Sequence, residues 1–295
     1  MNGFFNVLKP PGMTSSQVVG AVRRVLNGEK AGHAGTLDPQ AAGILPVMAG
    51  KATRLFDYLV DKRKSYVAEI AFGTATDTQD AQGRVTEQGG GYPSVEDVRA
   101  VLFRFTGEIL QTPPSYSAIK QDGQRLYDLA RKGEMVTAEP RPILVEEISL
   151  GRETENHGMM LHIRCGKGTY VRTLCHDIGK AVGCPAHMRF LLRTQSGVFT
   201  LDTACTLEEL QRAKEEGNLA DYLLPMDMPL AHLLRGNVPR ELESVCRNGG
   251  QMPLSAFPNL VDVPENVPLR LYLSDAFMGI AYRRRSWVAF RALVG

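Results

Sequence analysis

The chain has 295 residues, of which 43% are hydrophobic, and its formal net charge is only +2. This length suits one large domain, or a large and a small one, with a sizeable buried core. No apolar run approaches the ~20 residues that a membrane span requires. The N-terminus has no basic segment followed by an apolar stretch, which excludes a signal peptide. We therefore expect a cytoplasmic protein without a membrane partner.

In chain order, the first predicted element is a helix, because Thr14 or Ser15 can cap its first turn and an apolar stripe precedes Gly28. Alternating apolar side chains then predict a strand, whose inward face carries Tyr66. Ser94 with Asp97 three residues later resembles a capping box. The predictions for the first half are a helix over 14–27, a strand over 64–73, a loop over 83–93, a helix opening at Ser94 and a short helix over 124–132.

The same signals continue through the second half of the chain. Thr169 is expected to cap a helix whose apolar stripe leaves Arg172 at the polar edge of the first turn. Thr206 and Glu209 form a second capping box. The predictions are strands over 143–150 and 159–165, helices over 170–182 and 206–216, and strands near 269–274, 277–283 and 286–291.

Helices and strands are interspersed without the regular alternation of a doubly wound parallel sheet. The sequence therefore predicts an α+β fold with a mixed, largely antiparallel sheet flanked by helices. An acidic segment and the turn residues Arg235-Gly236-Asn237 precede a short, strand-rich tail. We expect a large domain over 1–235 and a small β-rich domain over 236–295.

The five cysteines are odd in number and include no C-x-x-C pair, which argues against a disulfide framework and against a structural zinc site. They are expected to be reduced, packed thiols. The histidines lack the spacing of a helical metal pair, so no metal site is predicted.

Charge is segregated along the chain although its sum is small. Residues 160–195 carry six basic side chains against one acidic, whereas 205–227 carry six acidic against two basic. The segment 51–64 is also basic. This pattern allows a local phosphate-binding face on a nearly neutral body. Scattered solvated charges explain it equally well.

The most informative run is Gly32–Gly43, which carries one carboxylate, Asp38, on a backbone unsuited to a regular helix or strand. Pro39 fixes its own φ and favours an extended Asp38. The glycines permit a tight path and close approach by another molecule. The run predicts a loop that presents an acid to a substrate; the alternative is an aspartate that caps a turn.

Several ordered motifs resemble those of bacterial tRNA pseudouridine synthases of the TruB family, which isomerise a uridine in the T loop of tRNA (conventionally position 55). The resemblance implies the pseudouridine synthase fold and a small, PUA-like RNA-binding domain at the C-terminus. The motifs are Asn6–Ser15, Gly32–Gly43, Lys64-Ser65-Tyr66, Gly73–Asp80, Gln111–Ala118 and Gly168–Leu174.

The resemblance also implies roles for three residues at the reaction centre. Asp38 matches the catalytic aspartate, and Arg172 matches the arginine that pairs with it and keeps it ionised. Tyr66 matches the tyrosine that stacks on the base and can assist the final proton removal. The isomerisation consumes no electrons and no group, so no cofactor or metal is implied.

Binding of the RNA is implied for a second set of residues. His33 matches the histidine that fills the space vacated when the base turns out of the T loop. Tyr170 and Leu191 match positions that touch this nucleotide. Lys64, Arg193 and the run Arg283-Arg284-Arg285 are candidate phosphate contacts. The family often has Leu-Arg-Arg-Thr where this chain has Leu191-Leu192-Arg193-Thr194, so one charge is absent.

Two other functions remain open from the residues themselves. A noncatalytic RNA-binding protein would explain the basic segments but not the three reaction-centre residues. A carboxylate-dependent hydrolase would need a second acid at a defined separation from Asp38, and Asp77 and Asp80 are better explained as loop caps. A guide-RNA-dependent relative is disfavoured because the chain has no long basic extension. A monomer is expected.

Overall fold

A computed structural model gives the fold of the chain and describes residues 1–59, 63–114, 120–121, 124–125, 138–155 and 157–295. The helices in these ranges are α1 (Ser15–Val25), α2 (Val95–Val101), α3 (Val171–Ala181), α4 (Leu207–Glu216) and α5 (Glu243–Arg247). The strands are β1 (Gly3–Lys9), β2 (Ala31–His33), β3 (Ala42–Ala49), β4 (Lys64–Phe72), β5 (Thr74–Thr76), β6 (Val85–Gln88), β7 (Gly107–Gln111), β8 (Lys120–Gln121), β9 (Gln124–Arg125), β10 (Arg141–Thr154), β11 (Gly158–Cys165), β12 (Ala186–Ser196), β13 (Phe199–Thr200), β14 (Leu234–Asn237), β15 (Met252–Pro253), β16 (Pro268–Leu273), β17 (Ala276–Arg284) and β18 (Trp287–Leu293).

A nine-stranded sheet forms the body of the molecule, in the order β1-β3-β12-β4-β11-β10-β7, with β2 on β3 and β13 on β12. Its strand pairs are antiparallel except β12 with β3, which are parallel. The prediction of an α+β fold with a mixed, largely antiparallel sheet is confirmed. The largest hydrophobic cluster joins α2 and α3 to this sheet through residues such as Val98, Leu174 and Leu161.

Both predicted capping boxes are present, and Thr14, one of the two predicted caps of the first helix, forms a third. The side chains of Thr14, Ser94 and Thr206 each accept a hydrogen bond from the backbone N–H three residues on, at the starts of α1, α2 and α4. In each case the side-chain oxygen of that third residue accepts a hydrogen bond from the backbone N–H of the cap residue. These helix starts could be predicted because both partners lie within one turn of chain.

The start of α3 differs from the prediction. Thr169 does not cap the helix; Tyr170 precedes its first residue and supplies no side-chain cap. Gln111 on β7 fulfils this role, since its amide oxygen accepts from the Tyr170 backbone N–H at 2.8 Å and its amide nitrogen donates to the Tyr170 carbonyl at 3.1 Å. Arg172 also does not lie at a polar edge of the first turn as predicted, since five successive residues from Val171 are buried.

Several strands were not predicted. β3 contains Gly43 and Pro46, and almost all of it is buried, so it has no alternating pattern. β12 pairs with β4 through two register shifts, which also break the period of two. β6 lies within the predicted loop 83–93. It pairs with β5, but all four of its side chains are exposed, so its sequence has no alternating apolar pattern. Of the predicted helix 124–132, Gln124–Arg125 form a strand and the remaining positions lie outside the described residues.

The C-terminal segment forms a five-stranded sheet in the order β14-β16-β17-β18-β15 with its own hydrophobic cluster. The predicted strands near 269–274, 277–283 and 286–291 are present. This sheet docks on the 3₁₀ helix Gly50–Tyr58, where Leu55 packs with Ile280 and Val294. Arg54 also donates to the Leu293 carbonyl at 2.8 Å. The boundary between 1–235 and 236–295 stays a prediction.

Within the described ranges, no helix is both long and apolar enough to cross a membrane. The five cysteines are all buried and form no disulfide, which confirms that they are packed thiols.

Candidate active site

The loop between β2 and β3, residues 34–41, is irregular as predicted and carries Asp38, but both ends of the predicted irregular run Gly32–Gly43 belong to strands β2 and β3. Gly43 follows it with φ of +116°, in the left-handed region, and a Cβ at this position would lie 2.2 Å from the carbonyl oxygen of Arg193. Only glycine therefore permits this approach of β3 to β12. The loop therefore enters β3 at Ala42, where the backbone packs closely against Arg193.

Three buried side chains, Lys9, Ser15 and Arg193, bind backbone atoms of residues 35–44, and we call this set the carbonyl clamp. The Lys9 ammonium donates to the carbonyls of residues 10, 39 and 41 at 2.8, 2.9 and 2.6 Å. The Arg193 guanidinium donates to those of residues 44, 36 and 35 at 2.7, 3.2 and 3.2 Å. The Ser15 hydroxyl donates to the Leu37 carbonyl at 3.0 Å and accepts its N–H at 2.9 Å. Six carbonyls within 35–44 are thus bound by side chains, which holds the loop in one conformation.

Arg193 is fully buried, with 0% of its surface exposed. Its predicted contact with an RNA phosphate is therefore wrong. A guanidinium has five N–H donors in a fixed plane, and here three of them bind carbonyls of residues 35, 36 and 44, while the group also hydrogen-bonds with Tyr66. Arg193 contributes to the site by holding the backbone around Asp38.

Lys9 is also completely buried. Burial lowers the pKa of its ammonium to about 8, although the negative charge of Asp38 opposes this shift. Three carbonyl acceptors match the three N–H groups of the charged form. Lys9 therefore carries its positive charge next to Asp38 at neutral pH.

Asp38 also belongs to a second group, in which Arg172 lies between two carboxylates. We call Arg172, Asp38 and Asp80 the arginine–carboxylate cluster. Arg172 Nε lies 3.5 Å from Asp38 Oδ2, and Arg172 Nη1 lies 3.7 Å from Asp80 Oδ2. The Arg172 side chain is 7% exposed, whereas that of Asp38 is 38% exposed. The carboxylate thus sits at the surface over a buried cation. The predicted meeting of Asp38 and Arg172 is observed in the geometry.

Sequence reasoning missed the contact of Asp80 with Arg172. Asp80 does cap its own loop as expected, since Oδ1 accepts from the Thr78 hydroxyl at 2.7 Å and from the Gln82 N–H at 3.0 Å. Its other oxygen is then directed at Arg172. The Thr78 carbonyl also accepts from Arg172 Nη1 at 3.4 Å. The loop after β5 therefore positions the arginine as well as its own turn.

Tyr66 lies on β4 beside Arg193, its cross-strand neighbour on β12. Burial raises the pKa of the Tyr66 hydroxyl to about 12, and the positive charge of Arg193 opposes the shift. At neutral pH the side chain is a neutral phenol. Only 8% of Tyr66 is exposed and its hydroxyl is hydrogen-bonded with Arg193, so a role as the final base would require a large loss of this pKa shift.

The remaining predicted residues surround this centre to different extents. Tyr170 places its ring 5.9 Å from the Arg172 guanidinium carbon, a cation–π distance. Leu191 is buried in one hydrophobic cluster with Leu37 and Tyr66, so little of its side chain can touch a ligand. His33 is half-buried at the end of β2, and burial together with the charge of Arg193 lowers its pKa, which keeps it neutral at pH 7.

Lys64 opens β4, and a Cβ added at Gly35 would lie 3.9 Å from the Lys64 Cε. Both residues line a mostly apolar cleft of about 200 Å³, together with Phe56 and Val198. Arg283-Arg284-Arg285 lie on the other sheet, at the end of β17. No group of three or more His, Cys, Asp or Glu side chains that could hold a metal ion occurs in the described parts of the chain.

Two family models match the chain in succession. Residues 23–171 match the model described as TruB family pseudouridylate synthase (N terminal domain). Residues 172–231 match the model described as tRNA pseudouridylate synthase B C-terminal domain. Asp38, Tyr66 and Asp80 lie in the first match, and Arg172 is the first residue of the second.

Curated relatives extend the similarity over most of the chain. The tRNA pseudouridine synthase B of Alkaliphilus oremlandii is 42% identical over 284 residues, covering 96% of this chain and 94% of the relative. The protein of the same name from Pelotomaculum thermopropionicum is 47% identical over 232 residues, covering 77% and 73%.

Solved structures show the same fold. A crystal structure of a Cbf5-Nop10-Gar1 complex contains a chain with a TM-score of 0.72 and 28% identity, and the match covers 96% of this chain and 79% of the other. A structure of an H/ACA RNP bound to a substrate RNA containing 2′-deoxyuridine gives a TM-score of 0.73 at 25% identity, covering 99% and 84%. The predicted pseudouridine synthase fold with a PUA-like C-terminal sheet is thereby confirmed.

Proposed function

Because the chain belongs to the TruB family of pseudouridylate synthases and is an isomerase of that class, we propose that it converts a uridine in the T loop of tRNA (position 55) to pseudouridine. The curated relatives are named for tRNA, and this supports tRNA as the substrate. The protein acts alone, as a monomer in the cytoplasm, with its domains at 1–235 and 236–295. The observation that carries the proposal is the half-exposed Asp38 carboxylate over the buried Arg172.

The reaction needs no outside reagent. The N1–C1′ bond of the uridine breaks, the uracil turns, the C5–C1′ bond forms, C5 loses its proton and N1 takes one up. Electrons and atoms balance within the nucleotide and one exchanged proton. A site for this chemistry must stabilise charge on the sugar or base, hold the detached uracil and accept the C5 proton.

Asp38 supplies the negative charge of this site. Its 3.5 Å separation from Arg172 Nε is longer than a charge-assisted hydrogen bond, which is typically ~2.7–2.9 Å. A nucleotide that covers the half-exposed carboxylate would exclude water and strengthen this pair. Arg172 keeps the acid ionised and directed, whichever atom of the substrate the carboxylate approaches.

The other residues hold the nucleotide. The neutral ring of Tyr66 is the surface on which the uracil stacks during its rotation, and because this side chain is only 8% exposed, the entering nucleotide must uncover it. The ring of Tyr170 lies against Arg172 and extends this surface. His33 can fill the space that the everted base leaves, and its neutral form suits a stacked RNA loop. Lys64 at the edge of the apolar cleft is the candidate phosphate contact.

A synthetic T stem-loop with tritium at C5 of the single target uridine tests the proposal. Purified protein without any guide RNA should release one equivalent of tritium and leave pseudouridine in the intact strand. The matched control is the same RNA with cytidine at the target and labelled uridine elsewhere. Free uracil as a product would indicate a hydrolase instead, and binding without release would indicate a noncatalytic RNA-binding protein.

A further inference from the structure

The first turn of α3 is held by two glutamines from other parts of the chain, Gln111 on β7 and Gln79 on the loop after β5. Gln111 binds the backbone of Tyr170, at 2.8 Å to the N–H and at 3.1 Å to the carbonyl. Gln79 Oε1 accepts a hydrogen bond from the Thr173 hydroxyl at 2.6 Å. Arg172 lies between these two positions of the chain. We call Gln111 and Gln79 the α3 brace.

Gln111 is fixed to the main sheet. Only 3% of its surface is exposed, and it ends β7, where Arg141 of β10 is its cross-strand partner. Pro113 and Pro114, which follow, are also buried. Because its amide binds both the N–H and the carbonyl of Tyr170, it fixes the orientation of this residue as well as its position. No side chain caps α3, so the sheet itself holds the start of the helix.

Gln79 has a backbone conformation that is unfavourable for a residue with a side chain. Its φ is +63°, in the left-handed region, and its backbone is held by the Thr76 carbonyl at 3.1 Å and the Met188 N–H at 3.0 Å. Glycine would adopt this φ without steric cost, but it would offer no acceptor to Thr173, which is only 2% exposed. The unfavourable conformation therefore occurs where a side chain is needed to reach α3.

Arg172 is the group that depends on this support. Its side chain is 7% exposed, and it lies 3.5 Å from the Asp38 carboxylate and 3.7 Å from that of Asp80. A side chain packed in this way moves with the backbone that carries it, because close packing leaves little room for another rotamer. A displacement of ~1 Å in an active site can lower a rate about 100-fold. The position of residues 170–173 therefore determines how Arg172 meets Asp38.

We propose that Gln111 and Gln79 are positioning residues of the isomerisation. Together they fix the first turn of α3, and they act on the reaction through Arg172 and its contact with Asp38. The proposal rests on the conversion of a uridine in tRNA proposed above, but not on which uridine is converted. The substrate for its test is therefore a full-length tRNA transcript with tritium at C5 of every uridine.

Gln111→Met removes both bonds to Tyr170 and keeps the length of the side chain. The kcat for tritium release should fall about tenfold, with KM within about twofold of wild type, because the RNA-binding groups are unchanged. Glu209→Met is the matched control. Its carboxylate accepts the corresponding bond at the start of α4, from the Thr206 N–H at 2.7 Å, and α4 packs in a different hydrophobic cluster from α3. The control should keep the wild-type kcat.

Gln79→Gly and Gln79→Ala separate positioning from stability. Both remove the acceptor of the Thr173 hydroxyl, but only glycine relieves the unfavourable φ. The glycine variant should therefore unfold at a higher urea concentration than the alanine variant, while kcat falls about fivefold in both. Thr173→Val, which removes the donor, should show the same fall, and Thr173→Ser, which keeps it, should restore kcat. If kcat followed the urea midpoint in these variants, the role would be structural only and the proposal would be wrong.

Combination with Arg172→Lys tests whether the brace acts through the arginine. If it does, adding Gln111→Met to Arg172→Lys should lower kcat less than twofold further, because the position that the brace protects is already lost. A full additional tenfold loss would place the action of Gln111 elsewhere and overturn the proposal. So would wild-type kcat in Gln111→Met and Gln79→Gly.

The wild-type protein in the same assay separates this proposal from the proposed function. Tritium release from a uridine outside the T loop would contradict the proposed position of the modified uridine and leave the comparison of the brace variants intact. Release from the T loop with wild-type kcat in the brace variants would support the proposed function and reject the brace. No release by wild type would reject both.

Discussion

The two sides of the Asp38 loop are held by different chemistry. On one side, the carbonyl clamp binds neutral backbone oxygens with Lys9, Ser15 and Arg193 at 2.6–3.2 Å. On the other side, the arginine–carboxylate cluster joins full charges at 3.5–3.7 Å, and Asp38 remains partly exposed. The hydrogen bonds of the clamp are short, buried and made to neutral acceptors, whereas the ion pairs of the cluster are longer and partly exposed to solvent.

This difference separates position from reactivity. Carbonyl oxygens satisfy a buried cation without cancelling its charge, so the clamp fixes the backbone and leaves positive potential beside Asp38. Carboxylates do cancel charge, but a pair at 3.5 Å can shorten or open when a substrate arrives. We infer that the clamp determines where the carboxylate lies and that the cluster determines how strongly it acts.

The strongest test of the clamp is Arg193→Leu. The substitution leaves three carbonyls without their donors in a dry interior, so the free energy of unfolding should fall by about 3–5 kcal/mol. Urea denaturation measures this loss. Arg189→Gln on the same strand, where the arginine is partly exposed and pairs with Glu69, is the control and should cost about 1 kcal/mol or less. If the free energy of unfolding fell no more than in the control, Arg193 would not hold the loop as we describe.

The cluster is tested by Arg172→Lys, which keeps the charge but not the planar guanidinium. A lysine cannot reach both Asp38 and Asp80 with fixed geometry, so kcat should fall about 100-fold while the unfolding free energy changes little. Arg164→Lys, in an exposed pair with Glu146, is the matched control. Wild-type turnover of the Arg172→Lys protein would contradict the comparison between the two sides.

The pH dependence of stability distinguishes the clamp lysine from other groups. The folded pKa of Lys9, about 8, is below its ordinary value of 10.5, so the unfolded chain binds more protons between these values and this group favours folding increasingly as pH rises. Between about pH 7.5 and 9.5, the unfolding free energy of wild type relative to Lys9→Met should therefore rise by about 2 kcal/mol. If the unfolding free energies of the two proteins changed in parallel with pH, the pKa of Lys9 would not be lowered in the folded protein.

The smallest effect is expected at the outer carboxylate. Asp80→Asn preserves the loop cap but removes one charge from Arg172, so kcat should fall about tenfold with little change in KM. Asp77→Asn nearby is the control, because that carboxylate accepts from the Arg84 backbone N–H. Equal losses in the two variants would assign the effect to the loop and not to Arg172.

Local signals predicted much of the fold. The cap at Thr14 and the capping boxes at Ser94 and Thr206 were recognisable because both partners lie within four residues. β3 and β12 were missed because their burial comes from neighbouring strands and produces no period along their own sequence. The Gln111 cap of α3 was equally invisible, since it joins residues 59 positions apart.

The candidate site divides in the same way. The resemblance predicted Asp38 with Arg172, which the structure brings together. It could not reveal that Arg193 faces inward, because the acceptors of its guanidinium are backbone carbonyls that any sequence possesses. Asp80 was recognised as a loop cap, but its second oxygen reaches Arg172 only through the packing of the β5–β6 connection on α3.

The most direct test of the account is Asp38→Asn, assayed by single-turnover tritium release from a T stem-loop labelled at C5 of the target uridine. The amide keeps the shape of the side chain and the clamp beneath it but removes the charge that Arg172 holds. We predict at least about a 1,000-fold slower release, with RNA binding and unfolding free energy close to those of wild type. Release at the wild-type rate would contradict the claim that a single clamped carboxylate drives the isomerisation.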